Sequence, residues 1–263
     1  MKRIAVIGTG YVGLVSGTCF AEVGNTVVCC DIDAEKIRGL SAGIMPIYEN
    51  GLKELVDKNV DENRLFFSTD IPKAIRESDI IYIAVGTPMS ESGEADLTYV
   101  KSVAETIGRH LNGYKIIVNK STVPVGTGKL VQSIIEQASR GGHPFDVVSN
   151  PEFLREGTAI YDTMNMERAV IGATSEKAAA IIEELHEPFQ TTIVKSNLES
   201  AEMIKYAANA FLATKISFIN DIANICEKVG ADVSKVSEGV GLDSRIGKKF
   251  LKAGIGFGVT PVK

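Results

Sequence analysis

The sequence predicts a doubly wound α/β fold on a parallel sheet, followed by a long helix and a small helical segment. Three observations carry that prediction. Short apolar runs without polar alternation recur as far as Ser196, as strands buried on both faces require. Segments whose apolar residues recur at helical spacing separate them. Beyond Ser196, no Pro or Gly interrupts the chain from Asn197 to Val229.

The first apolar run, residues 4–7, leads into Gly8, Gly10 and Gly13 at G-x-G-x-x-G spacing, and a helix is predicted over 14–23. A second strand over 26–30 ends at Asp31. Each part has a physical task in a dinucleotide site. Glycines let the backbone turn and approach a pyrophosphate, a helix N-terminus offers free N–H groups and a positive dipole end, and a carboxylate at the second strand tip accepts from ribose hydroxyls. The domain is therefore expected to be of Rossmann type. A ligand-free turn is the plain alternative, and the ordered strand, helix, strand and acid weigh against it. Asp31 favours NAD, because a carboxylate repels the 2′-phosphate of NADP and no Arg follows directly. Lys36 works against that preference, and the loop alone leaves FAD open.

A helix over 34–42 is expected next, then the irregular stretch GIMPIYENG and a short helix near Leu52. Further strands are expected at 65–68, 80–85, 115–119, 145–148, 168–172 and 192–194, with helices ending near Ser78 and over 97–111, 128–138 and 176–186. Ligands of open parallel sheets lie beyond the carboxyl ends of the strands. Three strand ends deliver polar groups there: Gly86-Thr87-Pro88, Ser121-Thr122, and the run Asn150 to Gly157 with its two carboxylates and arginine. The Rossmann-type domain is expected to end at 196. The helix over 197–229 would be about 50 Å long at about 1.5 Å per residue. Its apolar arc, with Leu198, Ala201, Phe211, Leu212, Ile219 and Cys226, is wide enough to call for a second copy of the chain. Lys205 and Asn209 share one face of it amid apolar neighbours, a solvated face being the alternative. A short helix at 233–238 precedes the run 245–258.

Composition sets outer limits. A chain of 263 residues with 44% hydrophobic and 23% charged content can bury the core of a large domain and a smaller appendage. A net charge of −5 without a basic stripe argues against nucleic acid. No apolar run nears the roughly 20 residues that span a bilayer, and MKRIAVIG leads into a strand rather than a signal peptide, so a cytoplasmic protein is expected. Cys19, Cys29, Cys30 and Cys226 lack metal-ligand spacing and are expected to be small buried residues of a reducing compartment.

GTGYVGL at 8–14, Gly86-Thr87-Pro88, STVPVG at 121–126, NPEFLREG at 150–157, Lys205 with Asn209, and the run 245–258 together resemble the UDP-glucose/GDP-mannose dehydrogenase family. Residues 245–254 look most like its UDP-glucose branch, with the GDP-mannose and UDP-N-acetylmannosamine branches as near alternatives. The resemblance implies oxidation of UDP-glucose to UDP-glucuronate by two NAD, through an aldehyde and a cysteine-bound thioester; the homodimer is expected from the long helix. It implies cofactor contacts from Gly8, Gly10, Tyr11, Val12, Gly13, Asp31, Lys36, Val85, Gly86, Thr87, Pro88, Ser121, Thr122 and Glu156. Glu152 would be the acid/base or water activator, with Thr122 helping to hold the water, and Lys205 and Asn209 would stabilise oxyanions at C6. Glu152, Phe153, Leu154, Arg155, Lys205, Asn209, Arg245, Phe250, Lys252, Ala253, Gly254, Gly256, Phe257 and Gly258 would bind the sugar nucleotide. One departure stands out. The family motif continues after Gly258 to its catalytic cysteine, whereas Val259-Thr260-Pro261-Val262-Lys263 follow here, with Pro261 at the cysteine position. The expectation is a truncated form without the nucleophile or the C-terminal nucleotide-binding domain, unable to complete the reaction; a non-catalytic NAD-binding dimerisation module is the other reading.

Overall fold

The computed structural model describes residues 1–139 and 141–255. Gly256, Phe257 and Gly258, expected to hold the sugar nucleotide, and Pro261 lie outside the described residues. The chain forms two compact units, Met1–Lys205 and Tyr206 onward. In order, the elements are β1 Arg3–Ile7, α1 Tyr11–Glu22, β2 Thr26–Cys30, α2 Ala34–Ser41, α3 Leu52–Asp61, β3 Leu65–Ser68, α4 Ile71–Glu77, β4 Ile80–Ile83, α5 Thr98–His110, β5 Lys115–Asn119, α6 Thr127–Ala138, β6 Phe145–Ser149, α7 Ala159–Met164, β7 Arg168–Ala173, α8 Glu176–His186, β8 Thr192–Ser196, α9 Leu198–Val229 and α10 Val233–Gly241.

The first unit holds one eight-stranded sheet in the order β3-β2-β1-β4-β5-β6-β7-β8. The order reverses beside β1, where ligands of such sheets bind. Pairing from β3 to β6 is parallel and level at the carboxyl ends: Ile7 lies opposite Cys30 and Ile83, Ile83 opposite Asn119, and Asn119 opposite Ser149. The residues that follow these strands therefore share one rim. Helices cover both faces. Ile4, Val6, Tyr82 and Val148 pack on one side and Ala5, Ile7, Ile81, Ile83 and Ile117 on the other, which accounts for the unbroken apolar runs in the sequence.

The expected eight-stranded, doubly wound sheet is present and mostly parallel, with one difference. β7 runs antiparallel to β6, and β8 follows β7. The connection over 150–167 holds only the six-residue α7, about 9 Å at about 1.5 Å per residue, where the parallel pairs β1–β2, β4–β5 and β5–β6 are joined by helices of 12 or 13 residues. The last two residues of β6, Val148 and Ser149, pair with the last two of β7, Ala173 and Gly172, so β7 starts beyond the carboxyl end of β6 and runs inward. A second difference is the start of α1 at Tyr11 rather than residue 14, because the last turn of the glycine loop is already helical, Leu14 N donating to Gly10 O at 3.0 Å.

The second unit comprises most of α9, with α10 and the segment after it. Lys215 Nζ donates to Ile246 O at 3.1 Å, Gly254 N donates to Asn220 Oδ1 at 3.0 Å, and the Ser237 hydroxyl donates to Leu251 O. Phe211, Phe218 and Ile225, spaced by sevens along α9, are exposed. Among the described residues no helix is long and apolar enough to cross a membrane.

The contact of α1 with the glycine loop tolerates no side chain at Gly13, where a Cβ would lie 1.9 Å from Gly8 O. Gly13→Ala should cost about 2 to 3 kcal/mol, read as a lower urea midpoint at unchanged m-value.

Candidate functional site

The three loop glycines are required for three separate reasons. Gly8 has φ +107°, a left-handed conformation, and a Cβ there would stand 2.4 Å from Ala84 O. Gly13 lets the helix close on the loop. Gly10 caps α1 in an extended conformation and has nothing within 4 Å of where a Cβ would be, so its surface is open to a ligand. No acidic residue stands in the first turn of α1. The half-buried Tyr11 and Val12 begin the helix, and the assembly offers free N–H groups and a positive dipole end to an anion.

Asp31 follows β2 on the same rim. Its Oδ2 accepts from Thr9 Oγ1 at 2.7 Å, Thr9 N at 3.0 Å and Lys36 Nζ at 3.1 Å, and its Oδ1 from Asp33 N at 3.1 Å. Burial alone would raise this carboxyl, but the bonds from Thr9, Asp33 and Lys36 outweigh it and hold it at about 2. Asp31 is thus a fixed carboxylate, and Lys36 belongs to its support. The next two loops are tied to each other: Ser121 Oγ donates to Val85 O at 2.7 Å and Thr87 Oγ1 to Thr122 O at 2.8 Å. The Ser121 hydroxyl proton is therefore held by backbone, while Gly86 and Pro88 remain exposed.

Further along the rim lies a buried charge cluster. Lys205, 6% exposed, places Nζ 2.8 Å from Glu152 Oε1, and Glu152 Oε2 accepts from Leu154 N at 2.5 Å. The Phe153 ring lies beneath the Arg168 guanidinium, 4.1 Å from its centroid, with Lys205 Nζ at 5.3 Å. Lys120 Nζ donates to Asn150 Oδ1 at 2.9 Å. Burial pushes that ammonium down to about 8, with Glu152 raising it and Lys205 lowering it further. Glu202, 3% exposed, accepts from Gly126 N and Gly128 N at 2.7 Å each and from Ser149 Oγ at 3.2 Å. Burial raises this carboxyl and those bonds oppose the rise. It also serves the N-terminus of α6, whose own cap, Gly126, has no side chain to do so. Thr122, Ser149, Glu202, Lys205 and Asn119 line a cavity of about 10 Å³, near the space of one water, and the Asn119 side-chain amide has no hydrogen-bond partner among the described residues. A cationic donor beside a carboxylate in a water-poor place can stabilise a developing oxyanion and move a proton.

Residues 2–190 match the NAD binding domain of the UDP-glucose/GDP-mannose dehydrogenase family. The chain belongs to that family. Residues 199–261 match the family's central domain. The chain is 80% identical, over 98% of its length, to the UDP-glucose 6-dehydrogenase TuaD of Bacillus subtilis, covering 56% of that protein. It is 54% identical, over 97% of its length, to the B. subtilis UDP-glucose 6-dehydrogenase YwqF, covering 58% of it. Among solved structures, a UDP-glucose dehydrogenase from Pyrobaculum islandicum superposes with a TM-score of 0.96 at 40% identity, over 98% of this chain and 61% of that one. A GDP-mannose dehydrogenase from Pseudomonas aeruginosa gives 0.89 at 35% identity, over 99% and 62%. The chain thus spans little more than half the length of these relatives.

Within the first unit the structure brings Glu152 to Lys205, Thr87 to Thr122, Ser121 to Val85 and Asp31 to Lys36. It does not leave Arg155 free: the guanidinium is paired with Asp162, at 2.9 Å from Nε and 2.5 Å from Nη2. Glu156 is exposed. Asn209, Arg245, Phe250, Lys252, Ala253 and Gly254 belong to the second unit, where Arg245 pairs with Asp243 at 2.6 Å and Phe250 has φ +64°. Sequence reasoning missed Lys120, Arg168, Glu202 and Glu49. Lys120 directly precedes Ser121 in a motif already singled out, so it was within reach.

The depressed Asp31 carboxyl stabilises the fold at every pH above its unfolded value near 4, and that contribution disappears as pH falls toward about 2. Asp31→Asn should therefore lower stability by about 1 to 2 kcal/mol at pH 7, and the gap to the wild type should close between about pH 4 and 2 in chemical unfolding.

Proposed function

We propose that this chain carries the NAD site and the base-bearing part of the sugar site of a UDP-glucose 6-dehydrogenase, which oxidises the C6 alcohol of UDP-glucose to the carboxylate of UDP-glucuronate. The observation that carries the reading is the buried Lys205–Glu152 pair on the rim shared by Gly10 and Asp31. The 80% identity to TuaD favours UDP-glucose over GDP-mannose.

In this reading the N–H groups at the start of α1 hold the pyrophosphate and Asp31 receives ribose hydroxyls, with Val85, Gly86, Thr87, Pro88, Thr122 and Glu156 along the remaining cofactor wall. NAD, when bound, supplies the hydride acceptor. Glu152 takes the proton of the reacting hydroxyl or of a water held with Thr122. The Lys205 ammonium, oriented by Glu152, donates to the oxygen that gains negative charge. Asn209 is assigned a second donor to that oxygen, and Arg245, Phe250, Lys252, Ala253 and Gly254 are assigned to the sugar nucleotide. The acid-forming step of the family's route needs a thiolate. The chain's four cysteines are all buried, and burial pushes Cys19 and Cys30 up to about 12 and Cys29 higher still. None is suited to the task; a second reading takes these 263 residues by themselves as an NAD-binding dimerisation module. Unpaired buried thiols support a cytoplasmic setting.

Calorimetric titration tests the cofactor assignment: NAD should bind, NADP should bind at least tenfold more weakly, and Asp31→Ala should erase the difference. Incubation of the 263-residue polypeptide with UDP-glucose and excess NAD should yield no UDP-glucuronate and at most a trace of aldehyde by mass spectrometry. Sustained two-step turnover would overturn this assignment of the thiol step.

The exposed row Phe211, Phe218 and Ile225 supports a two-fold dimer through α9. Light scattering should give twice the chain mass at micromolar concentration, and Phe218→Glu should return it to monomer.

A further inference from the structure

The irregular stretch between Gly43 and Gly51 carries one buried carboxylate. Glu49 is 5% exposed, and its oxygens are filled by donors from two distant parts of the chain. Oε1 accepts from Ala159 N at 2.9 Å, and Oε2 accepts from Gly157 N at 2.9 Å and from the Tyr11 hydroxyl. The Tyr11 oxygen itself lies 3.1 Å from Gly157 N and from Arg155 O. Tyr11 is the first residue of α1, immediately after the glycine loop. Residues 155–159 close the loop that carries Glu152 and Glu156, and they open α7, whose N-cap Thr158 accepts no capping bond from a helix N–H, its hydroxyl donating instead to Asp162 Oδ2 at 3.0 Å. Glu49 supplies the acceptor that this helix start lacks.

A buried carboxylate with three donors is costly to satisfy in part, because each donor left behind is itself desolvated. Either the three segments hold one arrangement or they separate together. We propose that Glu49 is a positioning residue that locks the Glu152 loop onto the nucleotide loop, so that whatever fixes Tyr11 also fixes the backbone beyond Glu152. By reciprocity, a ligand held at the start of α1 must bind more weakly when the lock is open. This second consequence rests on the NAD assignment; the lock itself does not.

Two variants separate lock from bulk stability. Glu49→Gln keeps the size of the side chain but turns one acceptor into a donor facing N–H groups, and Tyr11→Phe removes only the hydroxyl. Without ligand, amide hydrogen exchange at Gly157 and Ala159 should quicken by about tenfold or more in Glu49→Gln, while Ile81 and Ile117 in the central strands stay within about twofold. In NAD titrations each single variant should weaken binding by about three- to tenfold, and the double variant should be no weaker than Glu49→Gln alone, because both open the same link. Uniform quickening of all amides would show a purely structural role and overturn the proposal. So would unchanged NAD affinity in both variants, or losses that multiply in the double variant. Failure of the wild type to bind NAD would defeat the cofactor assignment instead, leaving the exchange measurement to decide the lock. If Glu49→Gln does not fold, Tyr11→Phe must still quicken exchange at Gly157 for the proposal to stand.

Discussion

The level parallel pairing of β2, β1, β4, β5 and β6 is the constraint on which the rest of the first unit depends. Because Cys30, Ile7, Ile83, Asn119 and Ser149 stand in one row, Asp31, Gly8, the Thr87 loop, Ser121 and Asn150 emerge on one rim. The same pairing buries both faces of the strands, so polar chemistry has nowhere to go but the strand ends. The reversal at β7 extends this rim. Arg168, the first residue of a strand that overlaps β6 only at its last two residues, lies beyond the end of β6 and over the Phe153 ring.

Charges gathered at that rim are held mainly by backbone donors and by one another. Glu202 receives two N–H groups at the start of α6, and so fastens the first turns of α9 to the sheet. Lys205, one turn on, is thereby carried to Glu152. Opening such a pair by removing one partner leaves an uncompensated buried charge, a loss of about 3 to 5 kcal/mol in comparable sites. Glu49 repeats the device on the other side of the same loop, with N–H groups of the α7 start in place of those of α6. The Glu152 loop is thus held from both ends by carboxylates that belong to other segments.

What could be read from the sequence follows the range of the physics behind it. Gly8, Gly10, Gly13 and Asp31 were legible because their task is set within one strand-helix-strand unit, and Lys205 because a cation on an apolar helical face is unusual. The strand count followed from apolar runs alone. The direction of β7 did not, since nothing local to Arg168–Ala173 encodes which way it runs. Glu49 and Glu202 were missed for a related reason. A carboxylate in GIMPIYENG, or in the first turns of a long helix, looks like any surface acid until its distant N–H partners are known.

Lys120 shows why the rim cluster acts as a unit. Its ammonium is bonded to Asn150, the residue two before Glu152, so its position is tied to the loop it stabilises. Its proton affinity is set by three opposed effects: burial and Lys205 lower it, and Glu152 raises it, leaving it at about 8. The Glu152 carboxylate is the one charge that favours the ammonium, and the Lys205 ammonium opposes it. The charge state of Lys120 therefore depends on where the Glu152 loop and the first turns of α9 are held, and the rim cluster is coupled through placement as well as through contact.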